Sequence, residues 1–350
     1  MHHLLVTNQL LLVDACHSIN SVLAYIDVLT SKHQHGRSMK LFSFTHKVSS
    51  QKTILIICLL GVFFNAQATS KTTILQNKIN ALVTQELGSI NQQMGVVINL
   101  SGRQRMLTQK MSKEMLLIYH GIDVKKNRTN LGRSALMFAK TLKGLIDGSD
   151  TLDLPPTTDK DILKQMDIVS GLWLSFSKSV LPAISGKEVN LAFIKKVAKQ
   201  NLPLLKEMNK AVNMYEKLAG ADLNDLAAVV NLSGRQRMLT QKMAKEFLLI
   251  AAGVDTENNK TQLEKTIALF DRTLKGLRDG DPSQGLSATK EPIVRKQLAV
   301  VDKLWQKYKL VLLTMDTSKA GIKKVAELNM PLLKEMNAAV KMYEVLADSN

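Results

Sequence analysis

Asn99-Leu100-Ser101-Gly102-Arg103-Gln104-Arg105-Met106-Leu107-Thr108-Gln109-Lys110-Met111 occurs again, unchanged, as Asn231 through Met243. The run holds no Pro and a single Gly, a helical composition. At about 100° per residue, Leu100, Leu107, Met111 and Ile118 share one face, the core stripe of a bundle helix. Ile98, Gly102, Arg105, Gln109, Ser112 and Leu116 form a second stripe on the opposite side, at alternating steps of four and three, which is heptad spacing. The second copy repeats it as Val230, Gly234, Arg237, Gln241, Ala244 and Leu248. Such a helix joins its own bundle through one face and meets a second helix closely through the other. An arginine stands in the middle of that second seam.

The repeat extends well beyond this stretch. Thr141 to Leu145 returns as Thr273 to Leu277, and Trp173 returns as Trp305, each 132 residues on. Pro203 to Asn209 returns as Pro331 to Asn337, 128 residues on, so four residues are missing from a loop of the second copy. A period this long means that each copy is a domain rather than a solenoid repeat. Gly and Pro punctuation divides each copy into four helices. In the first copy these are Thr73–His120, Thr129–Asp147, Asp159–Leu181 (stopped by Pro182) and Lys187–Leu218, with Pro203 kinking the last or restarting it behind an Asn201 cap. In the second, Glu257–Asp279, Glu291–Met315 and Ser318–Ala347 follow the motif helix. Short loops predict an all-α protein of two up-down four-helix bundles, one over 74–219 and one over 220–347. With one Gly and no Pro between Tyr215 and Ser233, the bundles are expected end to end, joined by one long continuous helix.

Composition agrees: 45% hydrophobic residues, 5% aromatics, 16 Met and 7 Pro favour packed helices. The net charge of +17 invites a nucleic-acid reading, but the lysines lie beside acids and no basic run is interleaved with aromatics. Residues 1–38 do not match the rest, and Met39 is expected to be the true start. From there the chain reads as a signal peptide over 39–68. Lys40, Lys47 and Lys52 form a basic region, Thr53 to Phe64 is a short apolar core, and Ala66-Gln67-Ala68 is a cleavage site. Cleavage after Ala68 predicts a periplasmic protein; the alternative is an uncleaved anchor in the inner membrane. Cys16 and Cys58 both precede the cleavage point, so neither a disulfide framework nor a thiolate metal site is expected.

The repeated motif resembles the signature of the PilJ-type, or NarX-like, sensor domain, an extracytoplasmic four-helix bundle of type IV pilus chemotaxis transducers and nitrate/nitrite sensor kinases. The resemblance covers about residues 74–219 and 220–347, as tandem copies. It implies that the first-helix segment forms a ligand box in which an arginine from each of two subunits clasps one anion. Alignment of Asn-Leu-x-Gly and Arg-Met carries that arginine onto Arg105 and Arg237. Lys110 and Lys242 take the place of a second basic residue, Gln109 and Gln241 lie in the same box, and Arg103 and Arg235 are additional. The family's second membrane helix and cytoplasmic output module find no counterpart after the second bundle.

Solvated arginine on an exposed face is the usual fate of Arg105 and Arg237; their small and apolar seam neighbours argue for ligand or interface contact instead. Two such helices crossing in a homodimer bring two guanidiniums to the axis, where an anion would offset their repulsion. Gln104 and Gln236 fall inside the core stripe, as buried groups fixing helix register. Trp173 and Trp305 are core fillers. No nucleophile motif, metal-binding HExxH spacing or phosphate loop is present, so neither an enzyme nor a cofactor is expected. The leading expectation is a periplasmic sensor-like protein that takes a small anion or a peptide and signals through a membrane-bound partner. The rival is a helical rod that docks pilus or envelope proteins.

Overall fold

In the computed structural model of the chain, residues 70–219 and 224–347 are described. The chain divides into two compact units, Met1–Val83 and Thr84–Asn350, and of the first only the beginning of one helix is described. The expected signal peptide and the extension before it lie outside the described residues. Eight α-helices are described: α1 Ser70–Tyr119, α2 Val124–Asp147, α3 Lys160–Ile184 and α4 Leu191–Leu218, then α5 Asn224–Ala251, α6 Thr256–Asp279, α7 Pro292–Leu313 and α8 Lys319–Ala347. None of the described helices is long and apolar enough to cross a membrane.

Local chemistry places the ends. Gly121 and Gly253 take positive φ (71° and 66°) after α1 and α5, and Asp123 and Asp255 follow in the left-handed region. The Asp159 carboxylate accepts from the backbone N–H of Asp161 (2.9 Å) and Ile162 (3.0 Å), capping α3. Pro182 does not stop α3, which runs on to Ile184. Pro203 lies within an unbroken α4, and Asn201, expected as a cap, is buried and donates to the Thr108 carbonyl of α1 (2.9 Å).

Leu107, Met111 and Ile118 are buried as the core stripe requires, in one cluster with Leu131 and Phe138 of α2, Met166, Val169 and Phe176 of α3, and Leu204, Met208 and Val212 of α4. Each such side chain contributes on the order of 1.5–3 kcal/mol by leaving water. Trp305 is fully buried in the core and donates to Asp271 Oδ1 (2.5 Å); Trp173 is only partly buried and packs against the core on Phe138, at 4.3 Å between ring centres. Gln104 Nε2 donates to the Phe138 carbonyl (2.8 Å) and Gln236 Nε2 to that of Phe270 (2.9 Å), the register-fixing role expected of them.

The arrangement of the two four-helix sets differs from expectation. Asn231 Nδ2 donates to Glu216 Oε2 at 2.6 Å. Fifteen residues of one continuous helix span about 22 Å, so α4 and α5 are not one rod. Lys245, further along α5, donates to Asn201, earlier on α4, so α5 runs antiparallel beside α4. The two sets consequently lie side by side, not end to end. Propensity across residues 215–233 favours helix everywhere; the burial of both apolar seams decides the antiparallel course.

Candidate functional site

The two seams face one another inside one chain. Arg105 Nη2 donates to Asn231 Oδ1 (2.6 Å) of α5, and Arg237 Nη2 donates to Asn99 Oδ1 (2.7 Å) of α1. Fifteen residues beyond Arg105, His120 Nε2 donates to the Leu248 carbonyl (3.1 Å), seventeen residues beyond Asn231. The helices therefore run parallel and nearly in register, and side chains lean back toward the N-terminus of their own helix, as helical geometry dictates. A pseudo-twofold axis relates the halves. Ile98, Gly102, Ser112, Leu116, Val230, Gly234, Ala244 and Leu248 are all buried along this contact. The seam expected to join two chains joins the two halves of one.

Arg105 and Arg237 are 0% and 1% exposed, which overturns the solvated-surface reading. Arg105 Nη1 donates to Asn209 Oδ1 and Arg237 Nη1 to Asn337 Oδ1, both at 2.9 Å. Each Nε–H is buried and has no acceptor. Among the described residues no carboxylate is hydrogen-bonded to either guanidinium. The acids stand one step behind, where Asn231 Nδ2 donates to Glu216 and Asn99 Nδ2 to Glu344 (2.8 Å), so each asparagine relays an arginine to an acid. Gly102 and Gly234 make room for the fold-back: a Cβ there would lie 3.3 Å and 3.2 Å from Nη2 of Arg105 and Arg237.

Burial, then the positive charges of Arg235 and Arg237, lowers the pKa of Arg105 to about 9 against the pull of Glu216. Burial and Arg103 lower Arg237 to about 9 against Glu344. Both remain charged at neutral pH. Burial is also the main cause that raises Glu216 above its ordinary value. The central layer thus sets four guanidiniums (Arg103, Arg105, Arg235, Arg237) against two carboxylates, a cationic excess within a water-poor interface. Arg235 and Arg103 are half-buried and line two symmetry-related grooves, of about 740 Å³ and 400 Å³.

Other candidates are placed differently. Lys110 and Lys242 belong to their own halves, ion-paired with Glu114 and Glu246 and donating to Ser134 and Thr266 (2.8 Å each). Gln109 and Gln241 are fully buried one turn beyond the arginines, donating to Asn201 and Asn329 (2.9 Å each). Lys113 and Lys245, not singled out above, cross the interface. Lys113 Nζ donates to Asn329 Oδ1 (2.9 Å) of the second half, and Lys245 Nζ to Asn201 Oδ1 (3.3 Å) of the first. Burial lowers their pKa to about 7 and about 8. Asn99, Asn231, Asn209 and Asn337 were also missed. All four lie inside the duplicated segments, and a buried seam cation needs a neutral acceptor on the facing helix.

The fold and this layer define a tandem helical-bundle domain of sensor type. Residues 89–199 and 221–327, more than half of the chain, match the family described as the type IV pili methyl-accepting chemotaxis transducer N-terminal (PilJ) domain, and the chain belongs to that family. It is similar to the methyl-accepting chemotaxis protein McpN of Pseudomonas aeruginosa, 30% identical over 122 residues. That match covers 34% of this chain and 22% of McpN, so the chain spans about a fifth of the relative's length.

Proposed function

We propose that the chain is a periplasmic sensor-like protein that clasps one small anion between Arg105 and Arg237, and that one chain supplies both arms of the clasp. The observation that carries this reading is the pair of fully buried guanidiniums, one from each half, each with an Nε–H lacking an acceptor and, among the described residues, no hydrogen-bonded carboxylate. An anion accepting from both would offset the repulsion between them, and the planar fork suits nitrate, nitrite or a carboxylate, the last including an acidic peptide. The symmetry-related relays through Asn231 and Asn99 then have a second use. They hold each arginine against the opposite helix, so a ligand that draws the guanidiniums inward changes how α1 sits against α5. That change is what a membrane-bound partner would read. Arg103 and Arg235 strengthen the field; Lys110 and Lys242 are engaged by their own glutamates.

The experiment is a melting series with nitrate, nitrite, acetate and an acidic peptide, on the wild type and on Arg105→Met/Arg237→Met. Methionine keeps much of the side-chain volume while removing the charge. At least one anion should raise the wild-type melting temperature, and none should raise that of the variant. Without ligand the variant should be as stable as the wild type or more so, since replacing buried like charges by apolar chains is commonly neutral or stabilising. Lysine at both positions should restore little of the response. A full ligand shift in the methionine variant removes the arginines from the site. Indifference of the wild type to every anion, with retained capture of an envelope protein, favours the docking-rod reading.

A further inference from the structure

A second cleft lies about 12 Å further along α5 than Arg237, eight residues at the helical rise. It opens where α4 of the first half meets α5 and α6 of the second, and its volume is about 650 Å³. Lys195 and Lys199 of α4 stand at its mouth, exposed and without an ion pair. Lys242, Lys245 and Glu246 of α5 also line it, with Asp255 at the head of α6. Lys242 and Glu246 Oε1 satisfy one another. Two groups deeper in the cleft do not have what they need.

The first is Lys245, 4% exposed, whose ammonium has a single protein acceptor, Asn201 Oδ1 at 3.3 Å. That oxygen already accepts from Gln109 Nε2 at 2.9 Å. Two ammonium N–H groups of a buried cation are thereby left over, a costly state for a charged donor. The second is Glu246 Oε2, buried and without a donor. The symmetry-related carboxylate shows that the second is not a necessity of the fold. Glu114 Oε2 accepts from Ser134 (3.1 Å), but Thr266, which stands at the equivalent place, gives its hydroxyl to the Gln262 carbonyl (2.7 Å). Lys113 is held much as Lys245 is, donating to Asn329 Oδ1 (2.9 Å), an oxygen that also accepts from Gln241 (2.9 Å), with the Met330 sulfur 3.5 Å away. The counterpart of Lys199 is Glu327, 3.8 Å from Lys323, so the other side of the molecule has a carboxylate where this cleft has a free lysine.

We propose that this cleft is a second ligand site, separate from the arginine layer, for a small organic acid carrying a hydroxyl or ammonium donor beside its carboxylate. The carboxylate lies against Lys245 and Lys199, and the donor serves Glu246 Oε2. Two unsatisfied donors and one unsatisfied acceptor in one cleft call for a ligand offering both kinds of group; a simple anion answers only half of them. Burial holds Lys245 below the ordinary lysine range, and a carboxylate beside it would favour its charged form. The site exists on one side of the pseudo-twofold axis only, so one ligand binds per chain.

The test is calorimetric titration of the full chain with L-malate (hydroxyl donor), L-aspartate (ammonium donor) and succinate, which keeps the two carboxylates and lacks the donor. The proteins are the wild type, Lys199→Glu, Lys245→Met, and Arg105→Met/Arg237→Met. In the Arg105→Met/Arg237→Met variant, where the clasp is absent, we expect malate or aspartate to bind with one molecule per chain and succinate at least about tenfold more weakly, which is about 1.4 kcal/mol. Lys199→Glu should weaken binding at least about tenfold. Because that position is exposed, the variant folds as the wild type does and keeps the test decisive if Lys245→Met misfolds. Binding that persists in the arginine variant separates this site from the clasp, and its loss there overturns the proposal. The proposal is overturned by absence of heat with malate and aspartate up to about 10 mM, by succinate binding the arginine variant as well as both, or by unchanged affinity in Lys199→Glu.

Discussion

Replacing Lys113 and Lys245 together by Met removes two ammonium groups that the interface has taken out of water. Around Lys113 stand Glu114, which favours its charge, and Lys110 and Lys126, which oppose it; around Lys245 stand Glu246 and Lys242. Burial outweighs both acids and lowers the two pKa values from 10.5 to about 7 and about 8. In the unfolded chain both lysines regain the ordinary value, so above the folded pKa the unfolded state binds more protons and wild-type stability rises with pH. The window opens near pH 7 for Lys113 and near pH 8 for Lys245 and closes near pH 10.5. Within it, each lysine contributes a slope approaching about 1.4 kcal/mol per pH unit. Urea unfolding at pH 7, 8, 9 and 9.5 measures this directly, with the difference between wild type and variant cancelling other titrating groups. The wild type should gain stability over the variant by about 2 kcal/mol from pH 8 to 9. At pH 7 the methionines should cost little, because loss of the bonds to Asn329 and Asn201 is set against release of two buried charges. A difference that stays constant across the whole range would refute the claim that these lysines are desolvated between the halves.

Three further outcomes follow from the same interface. Gly102→Leu with Gly234→Leu should displace both guanidiniums and cost about 1–3 kcal/mol while the mass in sedimentation equilibrium stays unchanged; a halved mass would mean that the seam joins two chains after all. Asn99→Ala should separate Arg237 from its relay to Glu344 and cost about 2–3 kcal/mol in thermal or urea unfolding, with Asn231→Ala costing the same through Arg105 and Glu216. An unchanged midpoint in both would show that the relays carry no energy. N-terminal sequencing of protein from the periplasmic fraction should begin at Thr69; a start at Met1 or Met39 in the membrane fraction supports the uncleaved anchor.

Much of this molecule is readable from periodicity. The core stripe through Leu107, Met111 and Ile118 follows from the 3.6-residue repeat, and the duplication turns one reading of a half into a reading of both. The seam through Gly102, Arg105 and Gln109 is equally visible, because small residues beside an arginine are out of place on a solvent face. What the seam meets is not visible in the same way. A stripe says that a helix will be covered and is silent on whether the cover is a second chain or the same chain returning. The antiparallel course of α4 and α5 escapes for a related reason: helix propensity is local, while the choice between a rod and side-by-side packing is made by apolar surface more than a hundred residues apart. The buried lysines escape because Lys113 and Lys245 sit at the edge of the seam, where a long side chain usually snorkels to water. Only the facing Asn329 and Asn201 draw them inward.

The side-by-side docking of α1 and α5 within one chain changes the kinetics of whatever the arginine layer does. A clasp assembled from two subunits exists only as far as those subunits find each other, and its occupancy falls on dilution. Here both arms belong to one chain, so the second is present at the effective concentration of a tethered group rather than at that of a free subunit. On the proposed reading, opening and closing of the clasp are first-order events and one molecule reports its ligand by itself. The two halves are also free to differ, as Glu246 and Glu114 already do in their hydroxyl partners.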